Sequence, residues 1–311
     1  LIFDDVIDSK KAILQRIHLN VKNDVEIYIK REDAVHPALS GNKWRKLKYN
    51  LIDAKDRGYN KLLTFGGAYS NHIYATASAG KLFGFETIGI IRGEEHLPLN
   101  PTLQFASDQG MVLNYLPRNI YRRRNEQEFQ RQLAEQLGDV YIVPEGGSNL
   151  LALKGVAEMI NEIDVDFDYV ISAVGSGGTA AGIITALKGN QKYIGVPALK
   201  GGEYLNDIIA KFLYEYSERV YNNWELITDF HFGGFAKITH ELIDFKMRFE
   251  DENDIELDNI YTSKMLFALE RLINTGYIPN GSKIIAIHTG GLQGNKGMMK
   301  KVERLREKIS V

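Results

Sequence analysis

The chain of 311 residues contains no cysteine. Disulfides, thiolate nucleophiles and cysteine-bound zinc are excluded by that alone. An excess of one charge is also missing: 38 Lys and Arg against 40 Asp and Glu leave a formal net charge of −2. No global basic field therefore recruits nucleic acid or membrane phosphates. No apolar run approaches the ~20 residues needed to span a bilayer. The first residues, Leu1-Ile2-Phe3-Asp4-Asp5, put acids where a secretory signal carries bases and a long apolar core, so the expected location is cytoplasmic. There is no His-Glu-x-x-His, no Walker lysine loop and no Gly-x-Ser-x-Gly elbow. The seven histidines lack metal-ligand spacing, and no metal site is expected.

What is present is the balance of a soluble globular protein, 44% hydrophobic and 25% charged, with length enough for two domains sharing a cleft. Short β-branched runs alternate with longer helix-period segments. Strands are predicted over 25–30, 61–65, 87–91, 112–115, 140–143, 169–173, 193–196 and 283–288. Helices are predicted over 42–57, 70–83, 126–137, 149–163, 179–187 and 262–275. In the last of these Met265, Leu266, Leu269 and Leu272 recur at helical spacing. Such alternation argues for an α/β fold, parallel sheets covered by helices on both faces. It falls into two blocks, roughly 45–145 and 150–290, joined by the turn Pro144-Glu145-Gly146-Gly147-Ser148. The run Arg122-Arg123-Arg124 reads as a solvated helix start rather than a binding patch. The stretch 200–256 is the least legible, its aromatics reading first as core, otherwise as subunit interface or pocket wall.

In open parallel sheets, ligands bind beyond the carboxyl ends of strands, where helix N-termini converge. Three segments have that form. Ser40-Gly41-Asn42-Lys43-Trp44-Arg45-Lys46 opens a helix and can project Lys43 into a cleft, where a desolvated, neutral amine forms Schiff bases. Most lysines so placed are surface residues, and the segment alone decides nothing. In Gly66-Gly67-Ala68-Tyr69-Ser70-Asn71-His72 a strand runs into two glycines and a helix start, where free N–H groups suit a carboxylate; Ser70 can equally cap the helix. In Val174-Gly175-Ser176-Gly177-Gly178-Thr179-Ala180, glycines let backbone amides approach a phosphate while Ser176 and Thr179 add hydroxyls. Its spacing also fits the dinucleotide pattern G-x-G-x-x-A, hence an NAD-dependent dehydrogenase. That reading wants an acid at the end of the next strand, which instead ends at Pro197 with Glu203 the nearest acid. Monophosphate binding suits the loop better.

Taken together, Lys30-Arg31-Glu32-Asp33, the segments around Lys43 and Ser70, the glycine loop, Tyr261 and His288-Thr289-Gly290-Gly291 resemble the pyridoxal-5′-phosphate (PLP) enzymes of the tryptophan-synthase-β-like fold, fold type II. Within that group they are most similar to the 1-aminocyclopropane-1-carboxylate (ACC) deaminase/D-cysteine desulfhydrase family, from about Tyr28 to Gly291. The resemblance implies an α/β fold of two parallel-sheet domains with PLP in the interdomain cleft. The large domain would be 1–44 plus 146–311, the small one 45–145, and the protein a homodimer. It implies that Lys43 carries the Schiff base and shuttles the Cα proton. Asn71 bonds the cofactor's phenolic oxygen, Gly175, Ser176, Gly177, Gly178 and Thr179 its phosphate, and Thr262 and Thr289 its ring nitrogen. Ser70, Asn71, His72, Phe235 and Tyr261 line the substrate, a small amino acid; Ser70 meets its carboxylate and can take a proton, and Tyr261 stands on the opposite wall.

Family members of the deaminase type place a glutamate after the tyrosine, beside the pyridine nitrogen, where a carboxylate favours the protonated, electron-withdrawing ring. This chain has Thr262 there, so its ring is expected to be a milder electron sink, sufficient to expel a β-leaving group such as thiolate. The expectation is a D-cysteine desulfhydrase-like α,β-elimination to pyruvate, ammonia and sulfide. ACC deaminase, opening the ring to 2-oxobutanoate and ammonia, is the alternative; a non-catalytic PLP- or amino-acid-binding protein is a third. Retention of Lys43, Ser70 and Tyr261 together argues against the last. Phe235 stands where the family often has tyrosine, and His72 where deaminases have glutamine.

Overall fold

The computed structural model describes residue 3 and residues 6–307. Ten strands form two sheets: β1 (Leu14–Arg16), β2 (Glu26–Lys30), β3 (Lys61–Gly66), β4 (Glu86–Arg92), β5 (Val112–Leu116), β6 (Tyr141–Val143), β7 (Tyr169–Val174), β8 (Lys192–Pro197), β9 (Trp224–Leu226) and β10 (Lys283–Ile287). The helices between them are α1 (Asn42–Asp56), α2 (Asn71–Phe83), α3 (Pro101–Asp108), α4 (Arg118–Tyr121), α5 (Gln127–Leu137), α6 (Leu150–Asn161), α7 (Gly178–Ala186), α8 (Leu205–Ser217), α9 (His240–Asn253), α10 (Thr262–Asn274) and α11 (Met299–Glu307). Among the described residues no helix is long and apolar enough to cross a membrane.

One sheet has the order β5-β4-β3-β6 and is parallel throughout. The other has the order β1-β2-β10-β7-β8-β9, with only β1 antiparallel. Central strands read as near-continuous apolar runs because both faces are covered. Ile284 and Ala286 of β10, with Ile171 and Ala173 of β7, pack beneath α9 and α10. The alternate residues Ile285, Ile287, Val170 and Val174 pack beneath α6, α7 and α8. Leu62 and Val143 meet α1 and α2 on one face of the smaller sheet, and Leu63 and Phe65 meet α5 on the other.

In each sheet the connections run outward in both directions from one point, leaving a crevice at the carboxyl ends. In the larger sheet it lies between β7 and β10, in the smaller between β3 and β6. Helix α1 packs along α6 of the one and against α2 of the other. A shallow depression of about 290 Å³ beside Asp168, Lys192 and Gly281 opens at the amino ends of β7, β8 and β10, the opposite edge.

Candidate active site

Five turns meet at the carboxyl edges of the two sheets. They follow β2, β3, β6, β7 and β10. Gly41 lies so close to the turn after β10 that a Cβ there would fall 2.0 Å from the Thr289 carbonyl oxygen. His288 holds that turn: its Nε2 lies 2.8 Å from the Glu256 carbonyl oxygen, and its Nδ1 faces the Gly290 N–H at 3.2 Å and Asp33 Oδ1 at 3.6 Å. Asn42 donates its amide to Thr179 Oγ1 at 2.9 Å, tying the start of α1 to that of α7. Gln293 donates to Asn71 Oδ1 at 3.0 Å, joining the turn after β10 to α2. Ser70 caps α2, accepting the N–H groups of His72 and Ile73 at 3.2 and 3.3 Å. The cap uses its oxygen as acceptor and leaves its proton free to donate.

Two lysines three residues apart share the face of α1 that looks into this junction. Lys43 is partly accessible, and dense protein around its amine lowers its pKa to about 8. Lys46 is 1% exposed. It donates to Ser148 Oγ at 2.7 Å and to Ser176 Oγ at 3.3 Å, and these hydroxyls are 2.7 Å apart. Burial, and then the neighbouring Lys43, push its pKa well below the lysine range. His72 is buried, its Nε2 2.7 Å from Thr64 Oγ1 and its Nδ1 without a partner among the described residues. Burial, Lys43 and Lys46 hold it neutral.

On the other side, the Tyr261 ring rests on Gly175, where a Cβ would come 3.4 Å from Cε1. Burial, Asp258 and Glu145 raise its phenol, which stays protonated. Phe235, 46% exposed, stands edge-on to that ring at 6.0 Å. Thr262 is fully buried; its hydroxyl donates to Asp258 Oδ2 at 2.5 Å and accepts the Asp258 N–H at 3.0 Å. The same carboxylate accepts the N–H groups of Ile260, Tyr261 and Thr262.

Comparison with known proteins shows the family and bears out the fold. The family described as pyridoxal-phosphate dependent enzyme matches residues 13–290. The chain belongs to that family. It is 30% identical to the bifunctional D-cysteine desulfhydrase/1-aminocyclopropane-1-carboxylate deaminase, mitochondrial, of Arabidopsis thaliana, over 88% of this chain and 74% of the plant protein. It is 31% identical to the putative 1-aminocyclopropane-1-carboxylate deaminase of Pyrococcus horikoshii, over 88% of this chain and 88% of that one. A crystal structure described as an ACC deaminase homologue superimposes with a TM-score of 0.83 at 27% identity, covering 95% of this chain and 94% of that one.

The junction suits the cofactor of a pyridoxal-phosphate dependent enzyme. The N–H groups of Gly177, Gly178 and Thr179 find no acceptor among the described residues and open α7, where the helix dipole favours an anion. The close approach of Ser148 to this loop depends on glycine: a Cβ on Gly178 would sit 2.7 Å from Ser148 Oγ. Sequence reading brought Lys43, Ser70, Asn71, the glycine loop, Tyr261, Phe235, Thr262 and Thr289 to this region, and the fold gathers them there. It passed over Lys46, Ser148 and Asp258. A signal for Lys46 was its place one helical turn after Lys43, and for Asp258 its place three residues before Tyr261; Ser148 is brought in by a loop distant in sequence.

Proposed function

We propose that this pyridoxal-phosphate dependent enzyme carries out D-cysteine desulfhydrase-like β-elimination on a small amino acid. Bound PLP supplies the electron sink. Lys43 is the amine that holds the cofactor and moves the Cα proton, since a pKa of about 8 leaves a far larger neutral fraction near physiological pH than an ordinary lysine has. Gly175, Gly177, Gly178 and Thr179, with Ser176 and Lys46, hold the phosphate. Asn71 orients the phenolic oxygen, and Thr289 faces the ring nitrogen. Ser70 and the N-terminus of α2 receive the substrate carboxylate, with Tyr261 and Phe235 as the opposite wall. His72, expected to line the substrate, is buried with its Nε2 on Thr64 Oγ1, and it is assigned to the packing behind the site instead. The same reading assigns 1–44 with 146–311 to a large domain and 45–145 to a small one, and a homodimer as the working form.

The choice of reaction rests on one observation: the residue after Tyr261 is a buried threonine, not a carboxylate. A hydroxyl brings no charge to the ring nitrogen, and thiolate departure asks less of the ring than opening a cyclopropane. One observation favours ACC deaminase instead. With its proton given to Asp258, Thr262 has only a lone pair left to offer, which suits a protonated ring nitrogen. Turnover of D-cysteine and ACC by the purified holoenzyme separates the two. Pyruvate and sulfide from D-cysteine support the proposal; 2-oxobutanoate from ACC with no sulfide from D-cysteine overturns it.

A further inference from the structure

Lys264 has no exposed surface, and no carboxylate forms an ion pair with it among the described residues. Its ammonium donates instead to three backbone carbonyls, those of His231 and Gly234 at 2.9 Å each and Ala198 at 3.4 Å. A buried cation needs such a full set of acceptors, because an unsatisfied one costs several kcal/mol. The carbonyls turn inward because the chain here runs through left-handed conformations: φ is 53° at Phe232, 92° at Gly233, 119° at Gly234 and 53° at Ala236. For the two residues with side chains that conformation is strained and persists only where the surroundings impose it. Lys301 of α11 secures the far end, donating to the Ala236 carbonyl at 2.7 Å. The residue between these anchors is Phe235.

We propose that Lys264 is a positioning residue for substrate recognition, its ammonium holding the 232–236 segment so that Phe235 stands against Tyr261. One helix sets both partners, since Tyr261 immediately precedes α10 and Lys264 lies one turn along it. The Gly234 carbonyl belongs to the peptide that enters Phe235, so the bond acts one residue from the ring it places. Burial lowers the lysine to about 8 against the pull of Asp258, which leaves it mainly charged at neutral pH. The inference rests on Tyr261 and Phe235 forming the wall that faces the amino acid.

The test is steady-state kinetics of the holoenzyme on D-cysteine and ACC, for Lys264→Ala, Phe235→Ala and the double variant. Lys264→Ala is expected to raise KM about fivefold to tenfold with kcat nearly unchanged, the pattern of lost ground-state binding. The visible absorbance of the bound cofactor stays as in wild type, and added ammonium ion, which fits the emptied cage, brings KM back toward it. In the Phe235→Ala background the same substitution leaves KM where it was. An equal KM rise with and without Phe235, or a fall in kcat with loss of the cofactor band, overturns the inference. If Phe235→Ala raises KM and folded Lys264→Ala does not, the cage alone is overturned. If Phe235→Ala leaves KM unmoved, the substrate-wall reading fails and takes the inference with it. Should Lys264→Ala not fold, Lys301→Ala decides: a smaller rise confined to KM upholds the proposal, and none overturns it.

Discussion

Lys43 and Lys46 sit one turn apart on α1 yet face different tasks. Lys43 has no hydrogen bond or ion pair among the described residues, and burial brings it to about 8. Only the neutral amine adds to an aldehyde, so capture of PLP by the cofactor-free protein should rise with pH and level off above about 8. Stopped-flow absorbance against pH measures this; a rate still climbing tenfold per unit at pH 9 to 10 would mean an ordinary lysine. Lys46 is pushed lower still by burial and by Lys43. Its folded pKa lies below its unfolded value of roughly 10.4, so the unfolded chain binds the proton more readily and stability rises with pH across that interval. Lys46→Met should therefore stabilise the cofactor-free protein by about 1 kcal/mol, more at pH 6 than at pH 10. It should also weaken PLP binding roughly 10-fold to 100-fold through loss of a charge-assisted bond. Urea melts and a cofactor titration read the two opposite signs; loss of stability together with unchanged affinity would make Lys46 a purely structural residue. Lys43 was legible through the resemblance carried by its segment together with the other motifs, since the helix start alone decided nothing. Lys46 was not, because what makes it special is Ser148 and Ser176, more than a hundred residues away.

Helix α1 presents these lysines because two contacts fix it. Arg45 makes paired bonds to Glu32 at 2.9 and 3.0 Å and to Glu162 at 2.6 Å, and Lys30 closes the cluster 3.5 Å from Glu162. Burial works against the Arg45 charge, but Glu162 and Glu32 outweigh it and hold the guanidinium charged. Glu32→Gln leaves buried Arg45 short of a counter-charge and should cost about 3 kcal/mol, read by urea denaturation. A loss below 1 kcal/mol would mean that Glu162 alone neutralises the arginine. The second contact is the crossing with α6, where a Cβ on Gly155 would fall 2.0 Å from the Arg45 carbonyl oxygen. Gly155→Ala must push the helices apart, at about 1–3 kcal/mol, and should lower cofactor occupancy because Lys43 moves with α1. Unchanged stability and absorbance would show that the crossing has slack. At this scale the sequence was most readable. Central strands and long helices carry continuous apolar runs or 3.6-residue spacing, and the eight predicted strands appear within about a residue of their bounds, inside the usual scatter of helix and strand ends. The edge strands β1 and β9, three residues each, are too short to show a period. Helices α8 and α9 lie in the stretch 200–256 and were passed over, although Leu205, Ile209 and Leu213 of the one and Leu242, Phe245 and Phe249 of the other keep a buried face at helical spacing. Arg124, read as solvated, pairs with Glu145 at 2.6 Å beside the site.

Across the whole molecule the site belongs to neither sheet alone. The turns carrying Ser70 to His72 and Glu145 to Ser148 follow strands of the four-stranded sheet, and the glycine loop and His288 to Gly291 follow strands of the other. Beside the packing of α1 on α6, polar bonds join these turns across the two sheets, among them Lys46 to Ser176, the Ser148–Ser176 pair, Asn42 to Thr179 and Gln293 to Asn71. A ligand that bonds turns from both sheets stabilises both, because its free energy is lost when either opens. At a hundred times its Kd, PLP adds about 2.7 kcal/mol to opening reactions that destroy the site. Amide exchange with and without PLP should then slow in β3 and β6 as well as in β7 and β10, by up to about 100-fold where exchange requires sheet opening. Protection confined to β7 and β10 would mean that the cofactor is held by the larger sheet alone. In that case α2, Ser70 and Asn71 would close over the substrate rather than help hold PLP, and the two sheets would open independently.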